Sequence, residues 1–333
     1  MDREKLLENI IVEGMIEVIS RKYSYLAIKQ DEFCDAKSIL ESESKGIDDY
    51  NEFRRIAVNA LSHLQDGHIR VIDGLGKSHS SYKNMIPKNY DFDVTEGYFS
   101  DTQKKGPITL AKLDDVVYIG IHSFGNCCKE HFDWLYQRDP PSEKKFIVDL
   151  RANGGGNDSL GRYLTSFMLG AEGPFISSYL RFRTDEEDPT KLTEFRPRYV
   201  MPLVNSFRRE VTVLTGARTY SSAELITMDL AAIPGTILIG DVTGGGSGCP
   251  QRYLVDGPRR GEKIDHEKKP YDFQAKFALD IPSWLSYRLD QVLVQNNGIP
   301  PHILIKPQDS IVSNRDCVLE RAIQIHKEGY IAK

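Results

Sequence analysis

Residues 211–248, VTVLTGARTYSSAELITMDLAAIPGTILIGDVTGGGSG, constrain the fold most, because strand, tight turn, helix, strand and glycine loop follow one another without interruption. Val211, Val213 and Leu214 form a short apolar run closed by Gly216. Leu225, Met228, Asp229 and Ala232 then recur at helical spacing, Pro234-Gly235 stops the helix, and Thr236-Ile237-Leu238-Ile239 resumes a buried strand. At the strand-to-helix junction sits Thr219-Tyr220-Ser221-Ser222-Ala223-Glu224, which has two physical readings. Ser221 or Ser222 is an N-cap, with Glu224 three residues after Ser221 completing a capping box. Alternatively, the oriented N–H groups of the helix start stabilise negative charge beside a nucleophilic hydroxyl.

The bulk numbers narrow the class. A chain of 333 residues can bury a substantial core in about two domains. With 40% hydrophobic residues, 27% charged residues and a net charge of −5, it is not expected to bind nucleic acid. Five cysteines, none spaced CxxC, read as reduced thiols of a cytoplasmic protein, with Cys127-Cys128 as an adjacent pair. The opening MDREKLLENIIVEGMIEVI is neither a signal peptide nor a membrane span. The eight histidines show no HExxH spacing, so neither a metal nor an organic cofactor is expected.

Along the chain, Ile10, Met15, Val18, Ile19 and Tyr23 trace one helical stripe, and Phe53, Ile56, Ala57, Ala60, Leu61 and Leu64 another. Residues 31–49 predict a short helix and a turn at Lys45-Gly46. The second helix runs into Leu64-Gln65-Asp66-Gly67-His68, a turn with His68 at the head of a strand. A histidine in a turn is commonly just a polar surface residue. It is also the side chain best suited to act as a general base near neutral pH. Residues 73–106 read as irregular hairpins, and residues 108–121 as a hairpin around Asp114-Asp115. Residues 130–136 read as a helix. A buried strand from Lys145 enters Asp149-Leu150-Arg151-Ala152-Asn153-Gly154-Gly155-Gly156, whose glycines can let backbone N–H groups converge on an anion. The spacing fits neither GxGxxG nor GK[ST], and an oxyanion cradle suits it better than a diphosphate site. Residues 171–210 and 252–272 read as polar excursions, 277–281, 291–294 and 303–305 as strands, and 316–325 as a closing helix.

Together these pieces resemble peptidase family S41, the tail-specific or C-terminal processing peptidases. Leu64-Gln65-Asp66-Gly67-His68 is similar to the family's LxDGH, and Asp149-Leu150-Arg151-Ala152-Asn153-Gly154-Gly155-Gly156 to its DLRxNxGG. Thr219-Tyr220-Ser221-Ser222-Ala223-Glu224 is similar to its nucleophile box, and Gly240-Asp241-Val242-Thr243-Gly244-Gly245 to its GExTxG. The resemblance implies an α/β fold with a crotonase-like β/α spiral core at 67–333, an N-terminal helical domain at 1–66 and no PDZ domain. In the Ser-Lys branch a lysine stands where this chain has Gly246. The resemblance is therefore closer to the tricorn-core type, which uses a histidine, matched here by His68. That type's glutamate is replaced by Gln295 and a following aspartate by His302.

The resemblance implies serine-type peptide hydrolysis: Ser221 attacks, His68 is the general base, Gln295 orients His68, and N–H groups of Ser222, Gly155 and Gly156 hold the oxyanion. An amide orienter accepts an N–H bond but does not stabilise imidazolium as a carboxylate does, which predicts slow turnover or a third member from elsewhere. Arg151 is expected to brace the glycine loop. The partner is a peptide or unfolded polypeptide, without nucleic acid or membrane, and homo-oligomerisation stays open. Two rivals are a catalytically weak or inactive peptide- or apolar-ligand-binding protein on the same fold, and a small-acyl serine esterase.

Overall fold

The computed structural model describes residues 3–82, 87–138, 144–170, 173–202 and 209–328. The chain runs through helices α1 (Arg3–Lys22), α2 (Gln30–Glu43) and α3 (Tyr50–Ser62), strands β1 (Arg70–Asp73) and β2 (Ser78–Ser80), and helix α4 (Phe92–Glu96). Strands β3 (Thr102–Lys105), β4 (Ile108–Leu113) and β5 (Val116–Ile121), helix α5 (Lys129–Tyr136), strand β6 (Lys145–Asp149) and helix α6 (Asp158–Leu169) follow. Next come β7 (Phe175–Arg181), β8 (Arg196–Val200), β9 (Glu210–Thr215), α7 (Ser222–Ala231), β10 (Ile237–Gly240), β11 (Pro250–Leu254) and β12 (Lys263–Ile264). Strands β13 (Phe277–Pro282), β14 (Leu285–Tyr287) and β15 (Ile303–Leu304), then α8 (Pro307–Ser310) and α9 (Cys317–Glu328), complete the order used here. The chain divides into two units, each built from three segments. The first comprises Met1–Met85, Leu180–Arg196 and Ser247–Leu285, the second Ile86–Tyr179, Pro197–Gly246 and Ser286–Lys333.

In the first unit an antiparallel sheet, ordered β12-β11-β13-β1-β2, carries α1 against β13 and α3 against β1. Helix α3 forms because Phe53, Ile56, Ala57, Ala60 and Leu61 recur on one buried face. It starts where the Asp49 carboxylate accepts the Glu52 N–H at 2.7 Å, satisfying one orphan donor of the first turn. Gly14 lets α1 come close to its neighbour: a Cβ there would lie 1.6 Å from the Val255 carbonyl oxygen.

In the second unit a seven-stranded sheet is ordered β15-β10-β9-β6-β5-β4-β3. It is parallel from β15 to β5 and antiparallel from β5 to β3. Side chains alternate between its faces. Phe146, Val148, Val211 and Val213 join Phe132 of α5, Leu164 of α6 and Ile226 of α7 on one side. Ile147, Leu214 and Ile239 join Val318, Leu319 and Ala322 of α9 on the other. Burial on both faces explains why β6 and β9 read as nearly continuous apolar runs.

The expected hairpin is β4 and β5, closed by Asp114 at φ 53° with Leu113 opposite Val116. The expected strands at 277–281 and 303–305 and the closing helix are β13, β15 and α9. Elsewhere the structure differs from the sequence reading. The polar excursions hold β7, β8, β11 and β12, because ladder hydrogen bonds make strands from residues without an apolar alternation. Residues 291–294 form only the isolated bridge from Tyr287 to Leu293.

One buried ion network fixes the second unit at the end of β6. The Arg151 Nη1 donates to Asp316 Oδ1 at 2.9 Å and to the Asn89 carbonyl at 3.1 Å, and Nη2 donates to Asp149 Oδ2 at 2.7 Å and Asp316 Oδ2 at 2.8 Å. Tyr118 donates to Asp149 at 3.0 Å, Thr95 to Asp316 at 2.7 Å, and the Leu319 N–H to Asp316 at 3.0 Å, which starts α9. Burial pushes the Asp149 carboxyl up, but the Arg151 guanidinium outweighs it and holds the group below the ordinary carboxylate range. Removing the guanidinium strands two buried carboxylates. Arg151→Met is therefore expected to cost about 3–5 kcal/mol of unfolding free energy in a urea titration. Since a depressed carboxyl contributes stability that is lost as pH falls through its folded value, the wild type should lose this advantage below pH 3.8, and the variant should show less of that acid dependence.

Candidate active site

The first unit carries His68 in the turn after α3. Beyond the end of α3 at Ser62, Gln65 takes φ 46°, and the Lys29 ammonium donates to the carbonyls of Leu64 and Gln65, fixing the turn that follows the helix. Asp66 is fully buried: Oδ2 accepts the Tyr23 hydroxyl at 2.9 Å, Oδ1 accepts the His68 backbone N–H at 2.9 Å, and its carbonyl accepts the Ile69 N–H at 3.1 Å. The turn that Asp66-Gly67 announces in the sequence is thus an anchored one. His68 is 4% exposed, so it is not the surface histidine that a turn position suggests. Burial lowers its pKa from 6.5, Asp66 raises it and Arg70 lowers it; the net direction is down, leaving the ring neutral at pH 7.

The second unit carries Ser221, Ser222, Gly155, Gly156 and Gln295. Ser221 precedes α7 with φ 58° and ψ −124°. An N-cap normally has extended backbone, so Ser221 departs from the capping conformation and sits in a region that costs a non-glycine residue about 1–3 kcal/mol. Glu224 explains how that conformation is held. Its buried carboxylate accepts the Ser221 N–H at 3.1 Å, the Gly246 N–H at 2.7 Å, the Gly245 N–H at 2.8 Å and the Thr243 hydroxyl at 2.6 Å. The capping-box contact from Glu224 exists, and the carboxylate's three other bonds tie α7 to the glycine loop after β10. Burial pushes the Glu224 carboxyl up to about 7 against the pull of these donors.

The glycine loop after β6 meets the same turn. Asn153 is buried, donates from Nδ2 to the Ile121 carbonyl at 2.9 Å and accepts the Tyr220 N–H through its own carbonyl at 3.0 Å. Its Oδ1 accepts the Gly155 N–H at 2.9 Å, which removes Gly155 from the expected oxyanion donors. Gly155 acts instead by having no side chain: at φ 99°, a Cβ there would lie 2.7 Å from the Ser221 Cβ. The Ser222 hydroxyl donates to the Gly156 carbonyl at 2.6 Å, pinning loop to helix. Among the described residues, the N–H groups of Gly156 and Ser222 carry no hydrogen bond.

Gln295 is buried in a turn joined to this framework. Asn296, at φ 64°, donates its N–H to the Gly245 carbonyl at 2.8 Å, and the Thr243 hydroxyl accepts the Ile299 N–H at 2.8 Å. His302 lies just before β15, its Nδ1 accepting the Leu238 N–H at 2.8 Å and its own N–H donating to the Leu238 carbonyl at 2.9 Å. Gly246, at the place of the other branch's lysine, faces the Tyr220 ring: a Cβ there would lie 1.8 Å from Tyr220 Cζ. No side chain fits without moving that ring. Sequence reasoning missed the full reach of Glu224 and the anchoring by Asn153, because the spacing of neither motif reveals partners in other segments.

Two variants test this geometry. Gly155→Ala should fold but displace the Ser221 turn, with at least about 100-fold loss of activity, since a misplacement of about 1 Å has that effect. Glu224→Gln puts an amide NH₂ against backbone donors and should cost about 2–4 kcal/mol by chemical denaturation. Because the folded Glu224 value lies above its ordinary 4.5, its contribution to stability is full below pH 4.5 and declines as pH rises through about 7. That decline should vanish in Glu224→Gln.

A model of peptidase family S41 matches residues 115–305, more than half of the chain. A search of curated proteins finds no match. Among solved structures, a protein of Parabacteroides merdae ATCC 43184 provisionally named a peptidase is similar over 96% of both chains, at 20% identity and a TM-score of 0.76. Mature CPAF complexed with lactacystin is similar over 97% of this chain and 98% of its own, at 12% identity and a TM-score of 0.63. The photosystem II D1 C-terminal processing protease is similar over 99% of this chain and 98% of its own, at 12% identity and a TM-score of 0.53. These likenesses concern the fold, and with the family match over the two glycine loops and the Ser221 helix they lead to one conclusion: the chain belongs to peptidase family S41 and is a serine protease.

Proposed function

We propose that the chain hydrolyses peptide bonds with Ser221 as nucleophile, His68 as general base and Gln295 as the residue orienting His68. One observation carries the reading: Ser221 holds a costly φ of 58° at the mouth of α7, beside N–H groups of Ser222 and Gly156 that have no other use among the described residues. In acylation the Ser221 Oγ bonds to the peptide carbonyl carbon as its proton passes to His68. The oxyanion is held by the Ser222 and Gly156 N–H groups and by the positive end of the α7 dipole. The C–N bond then breaks, and His68 returns the proton to the leaving amine. Water attacks the acyl-enzyme with His68 taking its proton, the C–Oγ bond breaks, and the Ser221 hydroxyl is restored. On this reading residues 67–333 form the catalytic core, and residues 1–66 are the helical domain that braces the turn bearing His68.

The test is covalent labelling by a fluorophosphonate. Wild type should label once, at Ser221, and Ser221→Ala should not label while remaining folded; absence of label on folded wild type would sink the proposal. His68→Ala should slow labelling by about 10³-fold or more. Ser221→Gly should gain about 1 kcal/mol in stability, because glycine adopts the positive φ without strain. With the His68 value depressed, the acid limb of labelling should fall below pH 6.5, and the stability gained from the neutral ring should be lost as pH drops through that folded value. Turnover of an unstructured polypeptide against a simple ester separates a peptidase from a small-acyl esterase.

A further inference from the structure

We infer that Asp66 is a positioning residue that supplies His68 with the negative charge Gln295 lacks. The inference rests on the proposed role of His68, and it addresses a chemical gap in that role. A neutral amide can hold an imidazole by accepting a bond, but it does not stabilise the imidazolium that forms when the serine proton arrives. The carboxylate of Asp66 lies two residues before His68, on the same anchored turn, with Oδ1 at 3.8 Å from His68 Nδ1. That separation is too long for a hydrogen bond, so Asp66 acts through its field. The field favours the tautomer whose Nδ1–H points its positive end at the carboxylate, which leaves the Nε2 lone pair for the serine proton. Within the low-dielectric interior an opposite charge at this range is a strong influence.

The surroundings hold that charge in place. Tyr23 donates to Oδ2 and the His68 backbone N–H to Oδ1, so the carboxylate does not rotate away from the ring. Among the charged groups acting on His68, Asp66 favours imidazolium and Arg70 opposes it. Lys29 is buried near Asp66, whose charge it feels, while its ammonium is directed to the carbonyls of Leu64 and Gln65. The proton travels only between Ser221, His68 and the leaving group or water.

The experiment follows fluorophosphonate labelling against pH in the full chain, together with the titration of the His68 ring by NMR. Asp66→Asn keeps the size and an acceptor oxygen and removes the charge. It should slow labelling at neutral pH by about tenfold or more and move both the acid limb and the ring titration down by about one pH unit. Asp66→Glu, which restores a carboxylate, should recover part of that shift. A slower rate with an unmoved acid limb and ring titration would show that Asp66 is only a fold anchor and would overturn the inference. If Asp66→Asn does not fold, Tyr23→Phe decides: it takes a donor from Asp66 but leaves the charge, so the ring titration should move up, and no movement or a downward one would overturn the inference. Wild type that does not label at Ser221 overturns the proposed function instead, and the ring titration in Asp66→Asn still decides whether this carboxylate governs His68.

Discussion

The guanidinium of Arg151 is the constraint on which the second unit depends. It joins the end of β6, the backbone at Asn89 and the first turn of α9, segments far apart in the chain, at one buried point. Such a network is an inefficient source of stability, since three charges must leave water before their attraction offsets the loss. What it provides is position. The glycine loop begins two residues after Arg151, and Asn153 within that loop holds both Gly155 and Tyr220. A displacement at Arg151 would therefore be passed directly to the turn that presents Ser221.

Ser221 shows where that rigidity is used. Its backbone conformation is unfavourable for any residue with a side chain, and it is held by Glu224, which accepts the Ser221 N–H together with those of Gly245 and Gly246. The desolvation of Glu224 is itself unfavourable, as its raised pKa reports. Strain at the serine and burial at the glutamate are two costs borne by one small region, offset by the packing of α6 and α7 against the sheet. A protease has reason to tolerate both, because the same arrangement leaves the Ser222 and Gly156 N–H groups without hydrogen-bond partners among the described residues.

His68 follows a different electrostatic logic. Burial lowers its pKa, and the nearby Asp66 carboxylate works against that burial. The turn that bears it is closed by a buried lysine, a tyrosine hydroxyl and a carboxylate, all from the first unit.

Much was legible before any coordinates. The stripe of Phe53, Ile56, Ala57, Ala60 and Leu61, the hairpin around Asp114, the strand–turn–helix at Ser221 and the glycine loop after Asp149 all carry a local periodicity or a turn residue, and periodicity reports which face is buried. Strands β7, β8, β11 and β12 were hidden because backbone hydrogen bonds to partner strands assemble them, and their own polar residues carry no rhythm that reports the pairing. The sequence by itself determined the residue types at each motif, and with them the chemistry available: a hydroxyl at a helix start, an imidazole after a turn, glycines where backbone must come close. Only the tertiary structure decided that Gly155 makes room while Asn153 takes its N–H, that Glu224 binds a loop about twenty residues away, and that Asp66 faces the His68 ring. The reason is physical: side-chain burial is written in local spacing, whereas the partner of a buried donor or charge depends on the path of the whole chain.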